Sequence, residues 1–405
     1  ALIDNGVTYA KAWGLRPGVA LTAAQMAQLT SDIVWLVEQE VTLPNGQTTR
    51  ALVPQVYVHV KPGDLDGSGA LIAGQSVNLN VSGDMVNQGS IAGRDVVSIT
   101  AENVKNLGGR ITGGDVAVRA RTDLDNLGGI IDANNSLSAM AGRDLNVAST
   151  TRSNSNAQGS ITNVSRIAGL YVTALSGGTL VASAGRDLTL SGAQIGNAST
   201  GGQTVVAAAR DLNLGTVGTS SAQSLAWDSK NWRKTTQDAT QAAGSQVAAG
   251  GNVSIQATGA GQDSTLTVQG SDIKGGGDVS LKADGDIDLL AARNASEMHR
   301  SSSSVSGGVG VAVSLGSNGA AFGVTANASA SRGKGEGSDV SWTNTHVSAG
   351  NTLTLESGGN TLTLESGGNT NLKGAVATGK QVVANVGGDL NIESLQDTST
   401  YHTKD

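Results

Sequence analysis

Two glycine-rich segments have residue types that could hold phosphate or calcium. Gly374-Ala-Val-Ala-Thr-Gly379-Lys380 matches the glycine and lysine spacing of a phosphate-binding loop. However, Gln381 replaces the hydroxyl residue that would bind magnesium, and a strand-like run follows instead of a helix. Asp64-Leu-Asp66-Gly67-Ser68-Gly69 resembles the start of a calcium loop, but its twelfth position is Gln75 rather than a carboxylate. We interpret both segments as turns of a repeat, with weak calcium binding as the alternative for the second.

The titratable residues show no pattern typical of catalysis. Four histidines lie far apart, and none has a partner at zinc-ligand spacing: His59, His299, His346 and His402. Asp284, Asp286 and Asp288 alternate, which would place all three on one face of a strand. Polysaccharide-cleaving β-helices use paired carboxylates on such a face, although outward positions of a strand are polar in any case. We therefore expect no catalytic residue, no metal ligand and no cofactor.

One short segment combines aromatic and basic side chains: Trp227, Trp232, Arg233 and Lys234. Aromatic rings and cations are the side chains that most often anchor a partner. These four residues are therefore the candidate partner-contact site. The alternative is that the rings pack the segment back onto the body of the protein.

Composition narrows the possible partners. The 405 residues carry a formal net charge of −7 and no basic run, so a phosphate backbone is repelled on average and we expect no nucleic-acid partner. No stretch approaches the roughly 20 apolar residues of a transmembrane helix. With 0 cysteines, the chain has neither disulfides nor thiolate ligands. Because Ala1 is followed by no signal peptide, we expect a fragment of a longer protein.

Proline and glycine divide the chain near residue 62. All 4 prolines lie in the first 62 residues, whereas 53 of the 57 glycines follow them. Proline lacks the amide that a β-ladder needs, so the proline-free part suits strands that are paired on both sides. We predict a mixed α/β head over residues 1–62 and a repeat region over residues 63–405.

The head has signals for helices, strands and a turn. Thr22-Ala-Ala-Gln25 fits a capping box and predicts a helix over residues 23–29. Residues 32–37 fit a second helix, and residues 33–37 fit a buried strand as the alternative. A turn at Pro44-Asn45-Gly46 is predicted to join two strand-like runs, residues 41–43 and 52–60.

The rest of the chain repeats a short unit of turn and strand. Ile91, Ile111 and Ile131 are spaced by 20 residues, and each ends a turn that contains asparagine and glycine. In a second motif, a glycine turn precedes two apolar residues separated by one polar residue. Its copies are residues 114–118, 142–147, 185–190, 251–255, 277–281 and 388–392. This alternation is typical of a strand with one buried face.

A repeat of about 20 residues made only of strand and turn favours a right-handed parallel β-helix, which is an all-β solenoid. Inward Val, Leu and Ile side chains would form rows along the axis. Asparagine and glycine would occupy the bends, where positive φ and stacked amides are tolerated. Because one coil cannot bury its own face, stability comes from neighbouring coils. With ~4.8 Å between stacked strands, we expect roughly 15 coils.

Three segments interrupt the period: residues 149–178, 216–246 and 295–345. They are rich in Ser, Thr, Gly and Ala, and too long for ordinary turns. In the last of them, residues 309–315 and 321–328 alternate around Gly316-Ser-Asn-Gly319, which predicts a projecting hairpin. Residues 351–359 and 360–368 are identical copies of Asn-Thr-Leu-Thr-Leu-Glu-Ser-Gly-Gly, too short for a whole coil.

Several of these segments carry a family resemblance. In the head, Leu15-Arg-Pro-Gly-Val-Ala-Leu-Thr-Ala-Ala-Gln-Met26, Leu29-Thr-Ser-Asp-Ile-Val-Trp-Leu36 and Val53-Pro-Gln-Val-Tyr57 resemble a stretch of large two-partner-secretion exoproteins. Ala141-Gly-Arg-Asp-Leu145 and Gly388-Asp-Leu-Asn-Ile-Glu-Ser-Leu-Gln-Asp397 resemble their haemagglutinin repeats. The family is that of the filamentous haemagglutinins and CdiA-like proteins of contact-dependent growth inhibition.

The resemblance implies export through a two-partner-secretion outer-membrane transporter and display on the cell surface of a Gram-negative bacterium. It implies a non-catalytic stalk that bears adhesive regions or delivers a C-terminal toxin to a neighbouring cell, with a target-cell receptor or the envelope as partner. One alternative is a glycan- or receptor-binding adhesin module that acts through residues 216–246 or 295–345. The other is a polysaccharide-active β-helix enzyme, for which the sequence supplies carboxylates but no stacking aromatics.

Overall fold

The structure is a computed structural model that describes residues 2–22, 25, 29, 31, 33–42, 48–57, 70–227, 231–316, 319–350 and 361–404. The chain forms two compact units, residues 1–70 and 71–405. The predicted boundary between residues 62 and 63 lies outside the described residues, as does Asp64–Gly69. The predicted turn at residues 44–46 and the first copy of the nine-residue duplication also lie outside them.

The first unit contains a helix that the sequence patterns did not predict. Helix α1 (Leu2–Trp13) packs on strand β1 (Ile33–Thr42), which pairs in antiparallel fashion with β2 (Thr48–Tyr57). Gly6 makes the close approach possible, because a Cβ there would lie 2.2 Å from the carbonyl oxygen of Val34. Glycine and β-branched residues lower helix propensity. Packing against the strand therefore stabilises a helix that its own sequence disfavours.

Two of the head predictions are confirmed. The amide of Thr22 donates to Gln25 Oε1 at 2.9 Å, and the amide of Gln25 donates to Thr22 Oγ1 at 3.3 Å. These are the two reciprocal bonds of a capping box. The predicted helix itself, residues 23–29, lies almost wholly outside the described residues. For residues 33–37 the strand alternative is correct, with Ile33, Trp35 and Val37 buried.

The second unit is a parallel β-helix, which confirms the fold class expected from the repeat. Each coil contributes a short strand to sheet 1 and a bent pair of strand segments to the opposite side. The ten strands of sheet 1 are Met85–Asn87, Val104–Leu107, Leu124–Leu127, Leu145–Ala148, Leu188–Ser191, the first part of Leu212–Trp227, Leu266–Gln269, Ile287–Leu290, Thr370–Lys373 and Leu390–Glu393.

The opposite side begins as one sheet and then divides. Its first four strands run through the bend without a break: Leu71–Asn80, Ser90–Ala101, Arg110–Ala120 and Ile130–Ala141. Beyond them, sheet 2 consists of Gly169–Val172, Gln194–Asn197, Gln246–Ala249, Asp272–Gly275, Thr345–Ala349 and Ala375–Thr378. Sheet 3 consists of Thr179–Ala184, Gln203–Ala208, Asn252–Ala257, Val279–Ala283, Thr361–Ser366 and Gln381–Val386. A single turn of 3₁₀ helix, Gly261–Asp263, precedes one strand of sheet 1.

The core consists of aliphatic rows in strict register. In sheet 1, Leu145 pairs with Leu124 on one side and with Leu188 on the other, and Leu188 pairs with Leu212. All four side chains are 0% exposed. A one-residue slip would turn every one of them to solvent, so burial fixes the register. Across the described residues the β-helix has ten coils rather than the roughly 15 expected, because the interrupting segments take up chain without adding coils.

The first glycine of the repeated motif lies at a turn where its backbone closely approaches the backbone of the preceding coil. A Cβ on Gly142 would lie 2.0 Å from the carbonyl oxygen of Arg121, and a Cβ on Gly185 would lie 2.1 Å from that of Gly142. No side chain fits into that space. The motif therefore begins with glycine because of backbone contact between coils rather than because of an unusual φ.

A ladder of buried asparagines lines one bend, as the sequence predicted. Asn87 Nδ2 donates to Asn106 Oδ1 at 2.8 Å, and Asn106 Nδ2 donates to Asn126 Oδ1 at 2.8 Å. Asn106 and Asn126 are 0% exposed. In the next coil the same row continues with Val147. The amides thus satisfy one another over three coils, and aliphatic packing replaces them afterwards.

Candidate functional site

Strands from the three interrupting segments and the strand Thr398–Lys404 form one antiparallel sheet, here called the side sheet. Its strands are β3 (Thr150–Asn156), β4 (Gly159–Arg166), β5 (Leu212–Trp227), β6 (Asn231–Gly244), β7 (Ala292–Gly316), β8 (Gly319–Thr343) and β9 (Thr398–Lys404). They pair in chain order, each with the next. The predicted hairpin is confirmed by the pairing of β7 with β8 out to Gly316 opposite Gly319.

All three segments leave from the same corner of the β-helix. Each follows a strand of sheet 1 and returns to the start of a strand of sheet 2. Strand β5 shows the transition directly, since Leu212–Gly215 pairs within sheet 1 and Thr216–Trp227 pairs with β6. Successive coils stack ~4.8 Å apart, so strands that leave from stacked positions can pair outside the body.

Buried hydroxyl groups hold this corner together. The amide of Ser245 donates to Ser271 Oγ at 3.0 Å, and the amide of Ser271 donates to Thr345 Oγ1 at 3.4 Å. Thr345 in turn donates to the carbonyl oxygen of Leu290 at 2.6 Å. All three side chains are at most 2% exposed. Unpaired backbone amides at a buried exit point would be costly, and these hydroxyls satisfy them.

The described side chains of the side sheet are exposed or half-buried on both faces, with few exceptions. Trp232 is 43% exposed and Tyr401 is 57% exposed. Tyr401 lies over two glycines, because a Cβ on Gly335 would lie 3.3 Å from its hydroxyl and a Cβ on Gly337 would lie 3.2 Å from its ring. Where its side chains are described, the side sheet is thus a single layer with exposed side chains on both faces.

The candidate contact residues occupy β5 and β6 but do not share one face. Trp232 and Lys234 lie on one face of β6, and Arg233 lies on the other, because side chains alternate along a strand. All three are exposed. Trp227 pairs with Arg233 across the two strands. Register also places Lys334 and Lys404 in line with Lys234, a relation that no short stretch of sequence could reveal.

An open polar groove of about 450 Å³ lies where the tip of the β3–β4 hairpin meets β5. Its lining includes the amide or hydroxyl side chains of Asn154, Asn156, Gln158, Ser221, Gln223 and Gln237. Such groups can bind a neutral polar ligand through hydrogen bonds. The lining contains no titratable side chain, and therefore no base that could activate its serine hydroxyls.

The three alternating aspartates do not lie on one strand, contrary to the sequence-based prediction. A turn at Gly285 separates Asp284, after sheet 3, from Asp288, in sheet 1. Each carboxylate accepts a hydrogen bond from another coil: Asp284 from the Gly259 amide at 2.9 Å, Asp286 from the Asn369 amide at 2.6 Å, and Asp288 from Asn371 Nδ2 at 2.7 Å. These aspartates tie coils together.

The phosphate-loop match and His346 lie within coils of the β-helix. Gly374 has φ +62° in a turn, Ala375–Thr378 is a strand of sheet 2, and Lys380 is exposed. His346 Nδ1 lies 3.0 Å from Asp272 Oδ1 in the neighbouring coil, and His59 lies outside the described residues. Among the residues that the structure describes, no three His, Asp or Glu side chains converge as a metal site would require.

The Gly-Arg-Asp-Leu motif forms a ladder of ion pairs between coils. Arg143 binds Asp123 through Nε at 2.9 Å and Nη2 at 2.5 Å. Arg186 and Arg210 repeat this two-pronged contact with Asp144 and Asp187. Bidentate guanidinium–carboxylate pairs fix the relative orientation of the two side chains in addition to the charge interaction. The motif is therefore a stacking device between successive coils.

Two carboxyl groups of this ladder have altered acidity. The hydrogen bond from Arg143 lowers the pKa of Asp123 and outweighs the opposing effect of burial. Burial raises the pKa of Asp187, but hydrogen bonds from Arg210 and from the Asp211 amide outweigh it, and the net pKa is lowered. Both carboxylates are therefore held in the charged form that the ladder needs.

Comparison with known proteins agrees with this geometry. Residues 226–405 match the hemagglutinin repeat family. The chain is 34% identical over 169 residues to a deoxyribonuclease CdiA of Dickeya dadantii strain 3937. The aligned region is 42% of this chain and 5% of the relative. It is 33% identical over 165 residues to a toxin CdiA of Escherichia coli. The aligned region is 40% of this chain and 5% of the relative. No solved structure matches the chain.

Residues 226–405 are thus similar to hemagglutinin repeats, and they lie in a unit that is wound into a parallel β-helix. The segment is CdiA-like, and the resemblance to filamentous haemagglutinin and CdiA exoproteins is confirmed. A third relative, a toxin CdiA of Yersinia pestis, is 43% identical over 100 residues, 24% of this chain and 3% of the relative. The chain thus spans only a small part of these relatives. Within the described residues no helix is long and apolar enough to cross a bilayer.

Proposed function

We propose that the chain is a non-catalytic stalk segment of a secreted exoprotein displayed on a Gram-negative cell surface. The β-helix extends the molecule by stacking coils, and the side sheet stands out from one corner as a contact surface. The observation that carries the proposal is that many polar side chains of the β-helix bind neighbouring coils. The arginine–aspartate ladder, the buried amides and the alternating aspartates all bind neighbouring coils.

The matched relatives support a delivery role within a larger protein. Their names describe a toxin and a deoxyribonuclease, and the matched part is 5% of their length. We assign any nuclease activity to parts of such proteins outside this segment. Export through a two-partner-secretion transporter, and a receptor or the envelope of a target cell as partner, follow from the same resemblance.

The test is deletion of residues 71–405 from the parent exoprotein, followed by competition co-culture with susceptible cells. The proposal predicts surface display with loss of growth inhibition. Unchanged inhibition would contradict the delivery role. For the isolated chain, we expect no release of reducing ends from polysaccharides; robust turnover that Asp286→Asn abolishes would overturn the non-catalytic assignment.

A second candidate is an adhesin module that binds a glycan or receptor through the side sheet. The observation that favours it is the exposure of both faces of that sheet, including Trp232 and Tyr401. Deleting β7 and β8 together (Ala292–Thr343) should abolish cell binding while the β-rich circular dichroism spectrum is retained. Unchanged binding would count against this candidate.

A further inference from the structure

One face of the side sheet carries a row of lysines that the fold assembles from distant parts of the sequence. Lys234 on β6 pairs with Ser301 on β7, Ser301 pairs with Lys334 on β8, and Lys334 pairs with Lys404 on β9. Directly opposite residues of antiparallel strands point to the same face. The three ammonium groups therefore form a line across four strands, about 15 Å long at ~4.8 Å per strand.

Two further side chains extend this line into a patch. In the next row towards the sheet tip, Trp232 pairs with Ser303, and Ser303 pairs with Arg332. Trp232, Arg332 and the three lysines are all exposed. We call Trp232, Lys234, Arg332, Lys334 and Lys404 the basic patch.

The patch is electrostatically unbalanced. Lys334 lies directly opposite Lys404, and like charges in that position destabilise a sheet. No ion pair within the described part of the chain involves any of the three lysines. On the same face the acids lie closer to the body, at Glu336 and then at Asp238 and Glu297. Cations are thus concentrated at the outer part of a protein whose net charge is −7.

We infer that the basic patch binds an acidic polysaccharide. The lysines lie in a row, one or two strands apart, and this arrangement matches the repeated anionic groups of an acidic polysaccharide. Binding of a polyanion would also relieve the repulsion between the lysines. The groups between the cations are the hydroxyls of Ser301 and Ser303, which can hydrogen-bond to sugars. Trp232 at the edge offers a ring for stacking on a sugar face.

The same features disfavour the other polyanions. A membrane-binding surface needs several apolar side chains to enter the bilayer. Trp232 is the one apolar member of the patch, and Val305 is exposed one row beyond it on the same face. A stiff duplex of nucleic acid would extend past the patch along a protein of net negative charge, where it is repelled. A flexible polysaccharide can bind the patch and turn away.

Binding of dextran sulfate to the intact chain tests the inference, with neutral dextran, anionic phospholipid vesicles and duplex DNA as comparison ligands. We expect dextran sulfate to bind and the other three to bind at least tenfold more weakly. With three or four cations engaged, the logarithm of the affinity should fall with the logarithm of salt concentration at a slope of roughly −2 to −3. Preference for vesicles or DNA over dextran sulfate would overturn the inference.

The variant Lys234→Gln/Lys334→Gln/Lys404→Gln should lose at least tenfold in affinity, and the matching Lys→Arg variant should retain it. The control is Lys105→Gln/Lys274→Gln/Lys380→Gln, which removes the same charge from exposed lysines in the β-helix coils. The control should change affinity less than twofold. Equal losses in both triple variants would show general charge attraction and contradict a localised site. The inference rests on the contact role proposed for the side sheet, but this assay on the isolated chain is independent of the co-culture test.

Discussion

Removal of one rung of the asparagine ladder should destabilise the β-helix far more than removal of a surface amide. Asn106 is 0% exposed. It accepts from Asn87 Nδ2 at 2.8 Å and donates to the Gly109 carbonyl at 3.0 Å and to Asn126 Oδ1 at 2.8 Å. In Asn106→Ala, the buried Asn126 Oδ1 loses its donor, and the alanine leaves a cavity.

The magnitude follows from these contacts. A buried acceptor without a donor costs about 1–3 kcal/mol, and each remaining lost hydrogen bond costs about 0.5–1.5 kcal/mol net. The carbonyl of Gly109 keeps the Ile130 amide at 3.0 Å, and Asn87 Nδ2 keeps the Arg110 carbonyl at 3.3 Å, so those groups are not orphaned. Two such bonds are lost beside the orphaned acceptor, so we expect Asn106→Ala to lower the free energy of unfolding by about 2–6 kcal/mol.

The matched control is Asn391→Ala. Asn391 Nδ2 makes the same kind of bond, to Asn371 Oδ1 at 2.9 Å, but the residue is exposed. Its loss should change stability by about 0.5 kcal/mol or less. Urea unfolding followed by circular dichroism measures both variants. Equal destabilisation by the two substitutions would refute the view that the buried ladder stabilises the early coils.

Three further predictions follow from the core, the ladder and the turns. Leu188→Ala should lower the free energy of unfolding by about 2–5 kcal/mol, because Leu188 is 0% exposed between two coils; a loss below 1 kcal/mol in urea unfolding would contradict that packing. The pKa values of Asp123 and Asp187 are lowered from the ordinary 3.8, so their stabilising contribution is present above about pH 4 and is lost as pH falls through the lowered pKa. Asp123→Asn/Asp187→Asn should therefore show a smaller drop in melting temperature between pH 6 and acid pH than the parent, and an unchanged drop would exclude this linkage. Gly142→Ala should disrupt the coil, whereas Gly83→Ala, with nothing within 4 Å of the added Cβ, should be tolerated; similar melting temperatures for the two would contradict the turn geometry.

The repeat was predictable from sequence because each coil carries its own local signal. Ile91, Ile111 and Ile131 recur at equal spacing, and in the structure they are direct partners in adjacent strands. Alternating burial then fixes the register without any long-range information. The coil number was overestimated because residues that leave the β-helix look, in composition, like the residues that stay in it.

The side sheet and helix α1 were not predictable in the same way. Pairing of Lys234 with Ser301, and of Lys334 with Lys404, depends on where each excursion leaves the body, which no local pattern encodes. Helix α1 depends on the contact of Gly6 with Val34, a tertiary feature. The alternation of Asp284, Asp286 and Asp288 wrongly predicted a single strand. The alternating pattern runs on through the turn at Gly285, so the sequence does not show where one strand ends and the next begins.

The central claim is that successive coils stack in register, and engineered disulfides test it most directly. The chain has 0 cysteines, so every bridge formed is the engineered one. Thr189 is the direct partner of Asn213, and Asn213 is the direct partner of Thr267. Adjacent strands lie ~4.8 Å apart, within the Cα range of about 4.4–6.8 Å for a disulfide, whereas strands two coils apart lie about 10 Å away. Thr189→Cys/Asn213→Cys should oxidise to a bridge and Thr189→Cys/Thr267→Cys should not; a bridge in the second pair but not in the first would contradict the stacked β-helix.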